Sequence, residues 1–405
     1  MSAVRSRRHE IAFYAPWAGP TLTPVGRPTG GAEVQVLHLA RNLARRGHRV
    51  KIVTYATAGL PDRVDGITVV PQWRASGRRT LPRYVATLAS SLYRLLALGA
   101  PVVVQRSAGA TTGLVALTAR LARRRFVYSS ASTIEFTFDR AAYPFAGRGL
   151  FALGVRLADE VVVQTTEQAQ LCVERFGRRP VIIRSVAEPA PPLPPDARPA
   201  EGGLLWIGRL VASKNPTAFL DLAAAVPDVP CTLVYVPSPA DPPGTLETIE
   251  RRAEQLPNVT LLGPQPRVAM LDRIARATAI VSTSDHEGMP NTLLEGWSRG
   301  VPALTLAHDP DGIIEREGIG HCAAGDPAAL AAHARTVWNG RGQDHALRDA
   351  CRAYVRREHD PDVVLDRWAA VLRLSAPADR ASDPDARPGI GTRRGHRRSI
   401  RSFRR

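Results

Sequence analysis

The chain is nearly devoid of lysine. Of 54 basic residues in 405, only Lys51 and Lys214 are lysine, which leaves 52 arginines. Cysteine is scarce too: Cys172, Cys231, Cys322 and Cys351 lie far apart, with no C-x-x-C pair and no histidine cluster beside them. That spacing excludes a disulfide framework and a zinc knuckle, and it predicts a reducing compartment. Long apolar runs are missing. The longest, around Leu95 to Val104, is broken by Gly99 and Pro101 and falls well short of the roughly 20 residues that span a bilayer. The first residues, Met1 to Glu10, carry no signal-type apolar core, so a cytoplasmic protein is expected. No G-x-G-x-x-G follows the first strand-like run, which argues against a dinucleotide-dependent dehydrogenase. No zinc-finger, helix-turn-helix or aromatic RNA-binding pattern appears, so nucleic acid is not an expected partner.

Charge of one sign is in excess. The net charge is +17. Residues 376–405 hold nine arginines and three aspartates and supply +6 of it, leaving +11 along the rest of the chain. Such an excess suits an anionic membrane surface and a peripheral attachment at the inner face of the membrane; the alternative is that it serves solubility alone.

At this length two domains are expected. Short β-branched runs alternate with amphipathic segments throughout, which predicts α/β layers on parallel sheets. In the first half the strand-like runs are 11–15, 49–55, 67–71, 102–105, 126–129, 160–164 and 181–183. A helix is predicted over 32–46, with Val36, Leu39 and Leu43 on one face. Six prolines within 188–200 then interrupt the pattern and mark a linker. Strand-like runs resume at 204–207, 232–236, 259–262, 279–283 and 302–306. The expected division is residues 1–187, a linker over 188–202, a second domain over 203–358, a crossover helix over 359–375 and a disordered basic tail over 376–405.

The chemistry concentrates at strand ends. After the run 279–283 comes Ser284-Asp285-His286-Glu287-Gly288-Met289-Pro290-Asn291-Thr292-Leu293-Leu294-Glu295, with seven residues between Glu287 and Glu295. A strand, a loop with free amides and a helix start make an anion-binding place. Carboxylates there suit hydroxyl groups, which donate to them. A ligand with phosphates in the middle and hydroxyls at both ends fits: a nucleotide-diphosphate sugar. After the run 204–207 comes Gly208-Arg209-Leu210-Val211-Ala212-Ser213-Lys214-Asn215. Two cations five residues apart on a strand-to-helix loop suit a diphosphate and the charge that develops as it leaves. Lys214 stands against the arginine bias, which marks a place where a compact ammonium is wanted. Gly30-Gly31-Ala32-Glu33 opens the long helix and lets backbone approach an anion closely.

These segments resemble glycosyltransferase family 4, with its E-G-x-P-N-x-x-L-E, G-R-L-x-x-x-K-N and G-G-x-E elements. The resemblance covers roughly residues 10–375. It implies the GT-B fold, two Rossmann-like domains facing each other across a cleft, and transfer from a nucleotide-sugar with retained anomeric configuration. It implies Glu287 at the donor sugar, Glu295 at the ribose, and Arg209 and Lys214 at the diphosphate. Gly30, Gly31, Gly208, Gly288, Met289, Pro290, Asn291 and Thr292 complete the implied donor-binding set. No cofactor and no metal is expected. Asp309-Pro310-Asp311 has the look of a D-x-D metal motif, but that motif belongs to a different glycosyltransferase fold. The acceptor is expected to be a glycan, lipid-linked or other hydroxyl, in envelope or exopolysaccharide synthesis. Many members place a histidine after a first-domain strand. Here that stretch, Tyr128 to Glu135, has none, so Arg106, Ser130 and Glu135 are the acceptor-side candidates. The competing readings are a nucleotide-sugar epimerase or hydrolase on the same fold, and a degenerate scaffold acting by interaction.

Overall fold

The computed structural model describes residues 10–24, 30–74, 81–109, 111–137, 145–188, 190, 202–237, 241–341 and 344–374. Most of the proline-rich linker, part of the loop before Gly30 and the basic tail lie outside the described residues.

Two parallel sheets carry the fold. The first contains β1 (Glu10–Tyr14), β2 (Arg49–Tyr55), β3 (Arg63–Val64), β4 (Ile67–Gln72), β5 (Val102–Arg106), β6 (Arg125–Ser129), β7 (Glu160–Val163) and β8 (Val181–Ile182). Its order is β3-β4-β2-β1-β5-β6-β7-β8, and only the short β3 runs antiparallel. The second contains β9 (Leu204–Gly208), β10 (Cys231–Tyr235), β11 (Val259–Leu262), β12 (Ala279–Ser282), β13 (Ala303–Thr305) and β14 (Gly320–Cys322), in the order β11-β10-β9-β12-β13-β14. Chain order reverses at β1/β5 in one sheet and at β9/β12 in the other. Such switch points open a crevice at the carboxyl ends of the strands.

Alternation along each strand feeds two cores per sheet. Ile11 and Phe13 of β1 face helices 31–45 and 361–372, meeting Val36, Leu39, Val364 and Trp368. Ala12 and Tyr14 face the opposite way, toward Leu95, Val115 and Phe151. In the second sheet Leu204 and Trp206 meet Phe219 and Leu220 on one side. Leu205 and Ile280 meet Leu293 and Trp297 on the other. Helix 361–372 thus returns to the core of the first sheet after the second is complete. Its entry is clamped by Arg46, which pairs with Asp362 at 2.8 Å and Asp366 at 2.6 Å.

The sequence reading left several elements out, strand β3 and helices 145–157 and 166–176 among them, and two more bear on the argument. Helix 81–97 follows β4 in a stretch for which no element was expected; the apolar run noted around Leu95 to Val104 meets only its end. Strand β14, Gly-His-Cys, pairs with β13 although it lacks a β-branched run. Burial beside a central strand decides there, not intrinsic preference.

Candidate active site

The second-domain motifs meet because β9 and β12 are neighbours, Leu204 opposite Ala279. Their carboxyl-end loops are therefore adjacent. Thr283 ties them: its Oγ1 accepts from Trp206 Nε1 at 2.9 Å and lies 2.8 Å from the carbonyls of both Lys214 and Asn215. Asn215 adopts the left-handed conformation (φ 45°, ψ 59°) and caps helix 216–225 through its side chain, with Pro216 at the first helical position. Asparagine tolerates that conformation and proline suits that position. The Lys-Asn-Pro order thereby turns Lys214 toward the neighbouring loop, where its Nζ pairs with Glu287 Oε1. The pair is largely sheltered, with 26% of the lysine and 15% of the glutamate side chain exposed.

Glu295 projects from helix 291–298 and pairs with Arg267 Nη1 at 2.7 Å. Arg267 was not foreseen; nothing in its local sequence marks it. Gly208 is required by its own strand: a Cβ there would lie 2.8 Å from the Trp206 ring. Arg209 is exposed, with no hydrogen bond or ion pair among the described residues.

The first domain approaches from across the cleft. Gly30 caps helix 31–45, and the space beside it is filled by the Glu33 carboxylate. Burial pushes the Glu33 carboxyl above its ordinary range, while Arg209 from the second domain and Arg106 from the first pull it back. Glu33 thus feels the field of both cations. The Gly31 carbonyl accepts from Asn291 Nδ2 at 3.0 Å, and Asn291 Oδ1 accepts from Gln35 Nε2 at 3.0 Å. Thr133 Oγ1 donates to the Glu287 carbonyl at 2.9 Å. In the stretch where a histidine is common in the family, Thr133 makes this cross-cleft contact instead. Sequence reasoning missed both Thr133 and Gln35, because their partners lie 154 and 256 residues away.

Within the Glu-Gly-Met-Pro-Asn loop the roles divide. Gly288 is a contact point: a Cβ would sit 2.9 Å from the Ala131 carbonyl and from Gln164 Nε2. Met289 is 5% exposed and packs in the core below the loop, so its side chain is not a ligand contact. Pro290 is buried, and the Asn291 amide is committed to the opposite domain. Thr292 is half-buried in the first turn of helix 291–298.

The acceptor-side candidates sit deeper than expected. Ser130 is fully buried and donates to Gln168 Oε1 at 2.8 Å. Glu135 is 3% exposed; it accepts from Tyr128 Oη at 2.6 Å and from the amides of Ala131 and Ala108 at 3.1 Å each. Burial raises its carboxyl to about 6. Both side chains are buried braces, committed to these internal hydrogen bonds. Arg106 lines a small interior hollow with Ser129, Ser185 and Trp368, its Nη atoms 3.4 and 3.3 Å from the two serine hydroxyls. Burial lowers it to about 10.

Asp309 and Asp311 do not converge. Asp309 accepts from the amides of Ile314 and Glu315, while Asp311 accepts from the Thr166 amide at 2.9 Å and pairs with Arg184 at 2.8 Å. Asp311 therefore latches the second domain onto the start of helix 166–176. No group of three or more possible metal ligands occurs among the described residues.

Comparison with known proteins agrees with this geometry. Residues 30–186 match the family model for a glycosyl transferase 4-like domain, and residues 201–339 match that for glycosyl transferases group 1. The D-inositol 3-phosphate glycosyltransferase of Mycolicibacterium paratuberculosis is 27% identical over 92% of this chain and 84% of its own length. Among solved structures, the sucrose-phosphate synthase of Thermosynechococcus elongatus superimposes with a TM-score of 0.72 at 18% identity, covering 90% of this chain and 98% of its own. Anabaena HepE, solved with UDP-glucose, gives 0.70 at 16% identity, covering 90% and 99%. Sheet architecture and neighbours alike are those of the GT-B fold, and with both halves matched the chain belongs to the family 4 glycosyltransferases, enzymes of glycosyl transfer.

Proposed function

We propose that the chain moves a sugar from a nucleotide-diphosphate sugar to a hydroxyl acceptor with retention of anomeric configuration. The observation that carries this is the meeting of Lys214 and Glu287 on adjacent strand-end loops, facing the glycine start of helix 31–45 across the cleft. Lys214 and Arg209 would stabilise the charge that grows on the departing diphosphate, a preorganised electrostatic effect. Glu287 holds the Lys214 ammonium in place and offers its remaining lone pairs to a sugar hydroxyl. Glu295, fixed by Arg267, takes the ribose hydroxyls. Positive charge from these side chains and from the amides of helix 31–45 serves the role that a metal serves elsewhere. Closure of the cleft excludes water and so limits hydrolysis of the donor. The proposed acceptor is a glycan or lipid-linked hydroxyl in envelope or exopolysaccharide assembly, at the inner membrane face.

A thermal-shift panel of nucleoside diphosphates and nucleotide-sugars tests the site. One donor should raise the melting temperature, and Lys214→Ala and Glu295→Ala should lose the rise. Proton NMR of the first-formed product should show the donor's own anomeric configuration. No response to any nucleotide, or an inverted product, would overturn the reading.

A further inference from the structure

We propose that helices 81–97 and 111–121 form a docking surface for an anionic lipid leaflet. The inference rests on the reading that the acceptor lies at a membrane, and it names the surface and the lipid charge involved.

The first observation is an inverted helix face. Helices of a soluble domain turn charged residues to water. At about 100° per residue, Val85, Leu96, Ala89, Tyr93, Ala86 and Ala97 of helix 81–97 fall within an arc of about 120°. All six are exposed, Tyr93 by 66%, Val85 by 54% and Leu96 by 51%. Arg83 and Arg94 border that arc and are also exposed. The buried face lies opposite, through Ser91, Leu95 and Leu98.

A second exposed patch continues it. Helix 111–121 packs alongside and exposes Leu117 (37%) and Leu121 (83%) beside Arg120. Arg124 staples the two helices, its Nη atoms donating to the carbonyls of Leu95 and Leu96. The apolar residues therefore belong to one rigid platform.

Charge selects the occupant. Between Asp65 and Glu135 the chain has no aspartate, glutamate or lysine, and Arg83, Arg94, Arg120 and Arg123 are exposed on or just beyond these two helices. A protein partner's surface mixes charges of both signs, whereas an anionic leaflet offers only negative headgroups above an apolar layer. An apolar strip edged by arginine fits that pattern: the strip enters the headgroup–acyl boundary and the guanidinium groups meet phosphate. No helix among the described residues is long and apolar enough to cross a membrane, so the contact is made from the side of the helices.

The full chain is sedimented with vesicles of phosphatidylcholine alone and of phosphatidylcholine with phosphatidylglycerol, at low and high salt. The chain should pellet at least tenfold more with the anionic vesicles and be released by salt. Tyr93→Asp with Leu96→Asp, and separately Arg94→Glu with Arg120→Glu, should each reduce pelleting at least tenfold. All four side chains are exposed, so melting curves should be unchanged. Donor-induced thermal shifts are measured on the same proteins without vesicles, which separates a failed surface from a failed active site. The proposal is overturned if the wild-type chain stays in the supernatant. It is also overturned if the variants pellet like wild type, or if the aspartate variant instead dissolves a dimer of this chain.

Discussion

Gly288→Ala tests whether the cleft works by closing. The residue is not in a left-handed conformation, so alanine carries no intrinsic backbone strain there. Every close atom the new Cβ would meet belongs to the first domain: the Ala131 carbonyl and Gln164 Nε2 at 2.9 Å, and Gln168 Nε2 at 3.0 Å. Ordinary contact begins near 3.4 Å, so the loop must retreat by about half an ångström. The Ala131 carbonyl is main chain, held by the Glu135 brace beside it, and cannot swing away cheaply. Overpacking of this kind costs about 1–3 kcal/mol. Because the clash exists only when the two domains touch, the whole cost falls on the closed form. That corresponds to about a 5- to 150-fold loss in kcat/KM for whichever donor stabilises the wild-type chain. Small-angle scattering should show a larger radius of gyration, while the melting temperature changes little. A variant with unaltered scattering and unaltered kcat/KM would refute the idea that this contact is made in the working enzyme.

Three other outcomes follow from the structure. Lys214→Ala should lower kcat by about 10²–10³-fold, the usual scale for removing one preorganised electrostatic group; Lys214→Arg should recover only part, since a planar fork cannot replace a compact ammonium. Asp311→Ala leaves the largely sheltered Arg184 without its carboxylate and should cost about 3 kcal/mol by chemical denaturation, whereas Asp311→Asn keeps an acceptor for the Thr166 amide, tolerates the left-handed φ of 54° and should cost less. His359 is fully buried and burial pushes it down to about 3. The unfolded chain takes up its proton near 6.5 and the folded chain does not, so stability is present above pH 6.5. It falls by about 1.4 kcal/mol per pH unit below, toward the folded value. His359→Gln should flatten that slope by about 2 kcal/mol between pH 6.5 and 5; parallel denaturation curves would refute it.

What could be read from the chain was whatever is written locally. The strands show as short β-branched runs because parallel strands are buried on both faces. The Glu-x7-Glu and Arg-x4-Lys segments show because each is one short stretch of chain at a strand end. Helix 81–97 escaped because its water-facing side is apolar, which erases the polar half of the expected periodicity. The brace at Glu135 could not be told from a site acid, since its donors are a tyrosine hydroxyl within strand β6 and two backbone amides, and a backbone amide leaves no mark in the sequence. Asn291 was read as a donor contact; its side chain bonds Gly31 and Gln35 of the opposite domain, and Gln35 is a mid-helix residue with no local signal.

The segment 184–188 explains how such a cleft can move without coming apart. It leaves the first sheet after β8 and is gripped from three sides. Gln35 of the first domain both accepts from the Val186 amide and donates to its carbonyl, at 2.9 Å each. Asp311 of the second domain holds Arg184. The returning chain adds His359, whose carbonyl accepts from the Ala187 amide. Its Nδ1 donates to the Ser185 carbonyl at 2.7 Å, which fixes the tautomer and leaves Nε2 to accept from Tyr354 Oη at 3.2 Å. Both passages of the chain between the domains are therefore bound to each other at one buried point. Contacts at the open side of the cleft are of another kind: one hydrogen bond through Thr133, two through Asn291, and a bare glycine. A structure tied firmly at one edge and lightly at the other opens about the firm edge. Substitutions at Thr133 and Asn291 should accordingly shift how far the cleft opens, and substitutions at His359 whether the two halves stay registered at all.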